Sequence, residues 1–322
     1  HKSSSSLPYL EFPREVPQYP ARAQVVTYLE NYCEQLGITP RFNTAAQKVT
    51  RSDHGWTTKT NTADIISENL IICTGNTNVP KNVDKPGMET FPGLVIHSSE
   101  YTNGQPYKDQ NVLVVGFGNS ACEIAICLHE HGARPAMSVR SPVNVIPRDI
   151  MGIPVLKLGI LLSKLPPALA DQLNRPLMNL LVGDIEKYGL KKLPYGPMEQ
   201  IAKDRSIPLL DIGTMDLIKR GLVRIYGDIS SIREDIVYFE NDRQQFDAII
   251  MATGYRTGLE DFMTLSSERL EDIQQKQRNR RFFGQDNLYY CGFFVAPTGM
   301  LREINHESFY IMKDIVKKIS NS

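Results

Sequence analysis

Apolar residues recur along the chain in two rhythms, and each rhythm predicts an element. Helical spacing runs through Val25, Leu29, Tyr32, Cys33 and Leu36, with Gly37 placed to end the helix. Ahead of it, Phe12-Pro13, Val16-Pro17 and Tyr19-Pro20 suit an extended segment, because proline fixes its own φ and restricts the residue before it. A β-rich stretch around Trp56 leads to the buried-strand run Leu70-Ile71-Ile72-Cys73 and the turn Thr74-Gly75. A second unbroken apolar run, Val112-Leu113-Val114-Val115, is followed by Ala121, Ile124, Ala125 and Leu128 on one helical face. Gly132 ends that helix and residues 136–139 supply the next strand. The stretch from about 156 to 190 reads as helical despite its prolines. Strand-like runs return at 222–226, at 246–251 ahead of Ala252-Thr253-Gly254-Tyr255, and at 288–291, and a closing helix is expected from about Glu307. Strands alternating with helices predict α/β layers on a parallel sheet.

Composition narrows the possibilities. A chain of 322 residues, 41% of them hydrophobic, is long enough for two domains with separate cores. Its 36 basic and 36 acidic residues cancel, which gives no reason to expect a nucleic acid or an anionic membrane as partner. The apolar stretch at 153–165 is interrupted by Lys157 and Lys164 and stops at Pro166-Pro167, so no membrane span is expected. The opening His1-Lys2-Ser3-Ser4-Ser5-Ser6 lacks the apolar core of a secretory signal, and the location expected is cytoplasmic. Cys33, Cys73, Cys122, Cys127 and Cys291 form no Cys-x-x-Cys and no zinc-ligand spacing. They read as free thiols in a reducing compartment, and no metal site is expected.

The sharpest chemical signal is Gly116-Phe117-Gly118-Asn119-Ser120-Ala121, set between the apolar strand and the one-sided helix. In a strand–turn–helix of this kind, Gly116 permits the tight turn and Gly118 lets the backbone approach a pyrophosphate. Ala121 keeps the helix close to the sheet. The helix N-terminus then offers free N–H groups, those of Asn119 and Ser120 included, to the phosphates. An NAD or FAD site usually closes the second strand with a carboxylate for the ribose hydroxyls. Here that strand ends Ser138-Val139-Arg140-Ser141, and the planar fork of Arg140 suits a 2′-phosphate. NADPH is therefore the expected nucleotide.

Upstream, Phe91-Pro92-Gly93-Leu94-Val95-Ile96-His97-Ser98-Ser99-Glu100-Tyr101 matches the F-x-G-x-x-x-H-x-x-x-[YF] fingerprint of flavin-containing monooxygenases. With the Gly-Phe-Gly-Asn-Ser-Ala turn behind it, the chain resembles that family over nearly its whole length, and the YUCCA branch most of all. Val139-Arg140-Ser141 running on to Ile150-Met151-Gly152, Tyr188-Gly189-Leu190-Lys191, Gly196-Pro197-Met198-Glu199, Pro208 to Gly213 and Ala252 to Arg256 look like that branch. Thr298-Gly299-Met300-Leu301-Arg302-Glu303-Ile304 is nearer the animal-type enzymes.

The resemblance implies two dinucleotide-binding, Rossmann-like domains, an NADPH domain inserted into an FAD domain. The expected division is 1–105 for the remainder of the FAD domain, 106–255 for the NADPH domain with its helical insertion, and 256–322 for the return. Nothing before Trp56 resembles the FAD-binding Gly-x-Gly-x-x-Gly with which the family begins, so the first βαβ unit is expected to be absent from this sequence. Thr74, Gly75, Thr253 and Gly254 would mark the two crossings and touch cofactor, Gly292 would lie on the flavin side, and Asn119 would sit near the nicotinamide as the catalytic candidate. The implied chemistry is oxygenation of a small molecule by NADPH, FAD and O₂ through a C4a-hydroperoxide of the flavin. The substrate would be an amine or sulfide, or an arylpyruvate undergoing oxidative decarboxylation. A flavin reductase without oxygenation and a non-catalytic nucleotide-binding remnant stay open, as does the choice between monomer and homodimer. His97 is expected to be a hydrogen-bonded structural residue, and the helices of the insertion to be core or interface elements.

Overall fold

The computed structural model describes all residues except 54, 151, 163, 205, 274–281, 296–297 and 322, together with the side chains of 4 and 156. Met151, within one of the YUCCA-like stretches, thus lies outside the described residues. The chain forms two compact units, His1–Asn78 with Thr257–Ser322, and Val79–Arg256.

The second unit is built on a five-stranded parallel sheet. In chain order its elements are β1 (Leu94–His97), β2 (Asn111–Val115), α1 (Asn119–Glu130), β3 (Arg134–Ser138), α2 (Val155–Leu162), α3 (Pro167–Val182), α4 (Pro197–Asp204), α5 (Thr214–Lys219), β4 (Arg224–Tyr226) and β5 (Ala248–Met251). The strands lie side by side in the order β4–β3–β2–β5–β1, every neighbouring pair parallel. A division at 105 would assign β1 to the first domain. In the structure it joins this sheet because Leu94, Val95, Ile96 and His97 pair in register with Ala248, Ile249, Ile250 and Met251. The boundaries of the compact units accordingly fall after Asn78 and after Arg256.

The apolar run of β2 follows from its position at the centre of the sheet. Val112 and Val114 face Ala121, Ala125 and Leu128 of α1, while Leu113 and Val115 pack on the other side with Phe91, Tyr226, Ile232, Val237 and Phe239. A strand covered on both faces must be apolar at every position, and the helix at every third or fourth. The second cover is an antiparallel meander, Ile229–Arg233, Ile236–Phe239 and Arg243–Gln245, which periodicity alone did not predict. The insertion between β3 and α5 contains α2, α3 and α4, and its parallel pair Val145–Pro147 with Leu209–Asp211 lies beside α1. Its helices are less buried than expected: α3 has Ala170 in the interior, but Leu173 and Leu180 are 62% and 81% exposed.

In the first unit, Arg22–Gln35 is a helix whose buried residue is Tyr28, stacked on Phe12 and bonded by its hydroxyl to the Leu7 N–H and the Leu10 carbonyl. Ala46–Ser52, Gly55–Thr60 and Asp64–Ser67 form an antiparallel sheet, and Leu70–Ile72 pairs in parallel with Leu288–Tyr290. Val49, Trp56, Ile72, Leu259, Leu288 and Phe293 share one core. The closing helix begins at Met300, seven residues earlier than expected, and runs to Asn321. Gly299, with φ +94°, turns the chain into it, and the Thr298 hydroxyl donates to Glu303 in its first turn.

Gly93 shows how tightly the edge strand is fitted. A Cβ there would stand 2.2 Å from the Asp247 carbonyl oxygen, just before β5. Asp247 in turn accepts from the Asn111 N–H at 2.7 Å through its side chain, so the entrances of β1, β2 and β5 are tied together. Gly93→Ala should cost about 1–3 kcal/mol of stability, the usual range for overpacking. Urea denaturation checks this, and an unchanged midpoint would show that the entrance is slack.

Candidate nucleotide-binding site

In the sheet order, β3 and β4 lie on one side of β2 and β5 lies on the other. The chain reverses its direction of growth there, and the crevice beyond the carboxyl ends at such a point is where open α/β sheets bind ligands. The Gly116–Ala121 turn leaves β2 at that crevice and Ala252-Thr253-Gly254 leaves β5 beside it.

The two glycines of the turn are required for different reasons. Gly116 has φ +124° and donates its N–H to the Ser138 carbonyl at 2.9 Å. A Cβ at Gly116 would stand 2.5 Å from the Ala252 carbonyl oxygen, so the protein's own backbone demands glycine. Gly118 has φ −87°, open to any residue, and no protein atom lies within 4 Å of where its Cβ would be. Neither conformation nor internal packing requires glycine at 118, and the space beside it is free for a ligand. Gly118 is also the N-cap of α1 and supplies no side chain, so the first N–H groups of the helix lack a side-chain cap. Ser120 is exposed and Ala121 is completely buried against the sheet. The residues present therefore fit a diphosphate at this helix tip, where amide N–H groups and the positive end of the helix dipole meet it.

Around the turn, side chains secure the backbone. The Asn119 Oδ1 accepts from the Leu210 N–H at 2.9 Å, which ties the start of α1 to the insertion and leaves its Nδ2 as a donor. The Thr253 hydroxyl donates to the Lys81 carbonyl at 2.5 Å. Gly254, φ +83°, accepts from the Lys81 N–H at 2.9 Å and from His97 at 3.1 Å. The His97 tautomer follows from its partners. Its Nδ1 lies 3.1 Å from the Ser99 backbone N–H, which can only donate, so Nδ1 accepts and Nε2 carries the proton given to Gly254. The ring is buried edge-on to Tyr255 and holds the post-β5 loop in place. The other fingerprint positions are structural as well: Phe91 fills the core behind β2, and Tyr101 stacks on Tyr107.

Arg140, just past β3, is exposed and has no hydrogen-bond or ion-pair partner among the described residues. Cys122 offers no nucleophile here, because burial pushes its thiol up to about 12. A separate cavity of about 560 Å³, lined by Asn144, Asp171, Arg175 and Tyr195 among others, includes no residue of the glycine turn. The Asp171 carboxylate there accepts from the Met198 and Glu199 N–H groups at the start of α4.

The remaining expected cofactor residues lie in the first unit. Thr74 is exposed, and Gly75 (φ +67°) sits beside the Gly292 carbonyl, 3.6 Å from where a Gly75 Cβ would stand. Gly292 (φ +83°) gives its N–H to Glu307 at 2.6 Å. Glu307 is completely buried and was not anticipated from the sequence, where it reads as one acidic position in an amphipathic helix. Among the described residues no group of three or more His, Cys, Asp or Glu side chains is placed to hold a metal ion, and no helix is long and apolar enough to cross a membrane.

Comparison with known proteins extends this picture. A family model described as pyridine nucleotide-disulphide oxidoreductase matches residues 4–149. Indole-3-pyruvate monooxygenase YUCCA1 of Oryza sativa is 33% identical over 321 residues, 98% of this chain and 78% of its own length. The probable indole-3-pyruvate monooxygenase YUCCA1 of Arabidopsis thaliana is 35% identical over 294 residues, 89% of this chain and 71% of its own length. Among solved structures, the flavin-containing monooxygenase of Stenotrophomonas maltophilia has a TM-score of 0.67 at 16% identity, covering 98% of this chain and 83% of that one. Cyclohexanone monooxygenase of Rhodococcus sp. Phi1 bound to NADP+ has a TM-score of 0.68 at 13% identity, covering 94% and 71%. These likenesses show the shared fold.

The contrast between the two glycines is measurable. Gly116→Ala should lose about 1–3 kcal/mol of stability through the strained φ and the contact with Ala252. Gly118→Ala should stay within about 0.5 kcal/mol of the parent protein while weakening nucleotide binding. Denaturation curves paired with nucleotide titrations check both, and equal stability losses would mean that Gly118 serves the fold alone.

Proposed function

Because the chain belongs to the YUCCA-like family of flavin-dependent monooxygenases, with members 33% and 35% identical to it, we propose that it uses NADPH and O₂ to oxygenate a small arylpyruvate. It is a flavin-dependent monooxygenase by family. The nucleotide, the substrate and the roles of individual residues are our proposal.

One observation carries the nucleotide assignment: the open space at Gly118 lies on an uncapped helix tip, and the neighbouring strand is followed by Arg140, exposed and without a partner among the described residues, rather than by a carboxylate. The N–H groups of Asn119, Ser120 and Ala121 would hold the diphosphate, and Arg140 would hold the 2′-phosphate through its fork. Asn119, fixed through its Oδ1, would turn its Nδ2 donor toward the nicotinamide half. Thr253 and Gly254 are locked by Lys81 and His97 and would give that half a wall that does not shift during turnover. On the flavin side Thr74, Gly75 and Gly292 would supply close backbone approach, since the Gly292 N–H is already taken by Glu307. FAD, when bound, supplies oxygen activation and accepts the electrons of NADPH. The chain's task is to bind, orient and exclude water.

The arylpyruvate reading rests on the relatives, which are named indole-3-pyruvate monooxygenases. The segment Thr298–Ile304, nearer the animal-type enzymes, makes tertiary amines and thioethers the right competitors in a test.

Two measurements follow. Arg140→Ala should weaken NADPH by about 2 kcal/mol, the worth of a charge-assisted contact, while leaving NADH nearly unchanged. Equal losses for both nucleotides would refute the 2′-phosphate assignment. NADPH-driven O₂ uptake by the purified protein should rise with an arylpyruvate and not with a tertiary amine or a thioether. The opposite preference would overturn the substrate class but leave the nucleotide reading intact.

A further inference from the structure

Two thiols far apart in the chain meet in the first unit. Leu70–Ile72 and Leu288–Tyr290 run parallel with Ile72 opposite Tyr290, and the Cys291 N–H donates to the Ile72 carbonyl at 2.9 Å. The ladder thus continues by one step, to Cys73 beside Cys291. Residues level with one another in a parallel pair place their side chains on the same face, and neighbouring strands lie about 4.7–4.9 Å apart. That spacing is inside the Cα separation of about 4.4–6.8 Å that a disulfide spans. The Cys291 thiol donates to the Ile304 carbonyl at 3.9 Å, which holds it against the closing helix. Cys73 is exposed, Cys291 is buried, and the completely buried Glu307 stands next to them, held by the Gly292 N–H.

From this geometry we propose that Cys73 and Cys291 are a peroxide-responsive dithiol, with Cys73 the thiol that hydrogen peroxide oxidises and Cys291 the one that closes a reversible disulfide. The environment of each thiol matches its part. The neighbouring Cys291 thiol holds the Cys73 thiol below its usual range, outweighing burial of the sulfur and the nearby Glu307 charge. The proximity of Cys73, followed by burial and the Glu307 charge, pushes Cys291 well above its usual range. An exposed residue whose thiol is held toward the thiolate, beside a buried second thiol, is the arrangement that forms a disulfide before further oxidation.

The steps balance. The Cys73 thiolate attacks one peroxide oxygen, the O–O bond breaks, an S–O bond forms, and the other oxygen takes up a proton and leaves as water. The Cys291 sulfur then attacks the Cys73 sulfur; the S–O bond breaks, the S–S bond forms, and the hydroxyl departs as water with the Cys291 proton. Two thiols are oxidised, and one hydrogen peroxide is reduced to two waters.

Peptide mapping of the whole protein under non-reducing conditions tests this without any assay of turnover. After treatment with hydrogen peroxide, two of the five cysteines should lose their reactivity toward an alkylating reagent, and the peptide containing Cys73 should appear joined to the one containing Cys291. Dithiothreitol should restore both thiols. Cys291→Ser, nearly isosteric, should leave Cys73 as a sulfenic acid that dimedone traps, and Cys73→Ser should abolish the crosslink. Sulfinic acid accumulating at Cys73 of the unaltered protein without a joined peptide would overturn the proposal. So would a crosslink involving Cys33 or Cys127 in its place, or two thiols that peroxide leaves unchanged.

Discussion

The carboxyl edge of the parallel sheet depends on how closely the backbone leaving β2 passes the backbone leaving β5. At Gly116 the separation leaves no room for even a methyl group against the Ala252 carbonyl. With the turn pressed down in this way, α1 starts directly over the sheet and Ala121 is wholly buried. Because the start of α1 is fixed, its uncapped N–H groups face the crevice rather than another part of the chain. The loop after β5 is held just as firmly by the His97 ring, one nitrogen of which donates to Gly254 while the other accepts from Ser99. Rigid backbone on both sides of the crevice means that the amides are already oriented before a charged ligand arrives, which lowers the cost of ordering on binding.

The parts of this arrangement governed by local rules were legible in the sequence. The strand 112–115 and the face Ala121, Ile124, Ala125 and Leu128 announced themselves because one element is covered on both sides and the other on one side. The glycine spacing between them identified the turn. What the sequence concealed was decided at long range. β1 is four residues long, with Leu94 half exposed, and only its pairing with β5 makes it a strand. The tether from Asn119 to Leu210 joins positions separated by the whole insertion. Glu307 reads as a surface carboxylate, yet it is buried beneath Gly292. The leucines of α3 follow a helical stripe that suggested burial, and several of them face outward. Five cysteines without a motif gave no hint that two belong together, since that depends on the register of strands at opposite ends of the chain.

The two glycine-containing regions also differ in how they achieve close backbone approach. At the β2 turn the amides are left without a side-chain cap, and no acidic residue stands in the first helical turn. At Gly292 a buried carboxylate already occupies the amide, so that stretch presents shape rather than a donor. A diphosphate is better matched to the first arrangement and a flat, less charged ring system to the second.

The pairing of Leu70–Ile72 with Leu288–Tyr290 has a consequence for biosynthesis. On the ribosome, the earlier strand emerges long before its neighbour, and all of Val79–Arg256 is made in the interval. That inserted stretch contains every strand of its own sheet and can collapse as soon as it leaves the exit tunnel. The discontinuous unit must wait, with an unsatisfied strand edge, until Leu288–Tyr290 arrives. Order of synthesis therefore makes the inserted unit the natural first folder, and the window before the C-terminal strand docks is the period in which the nascent chain is most exposed to mispairing.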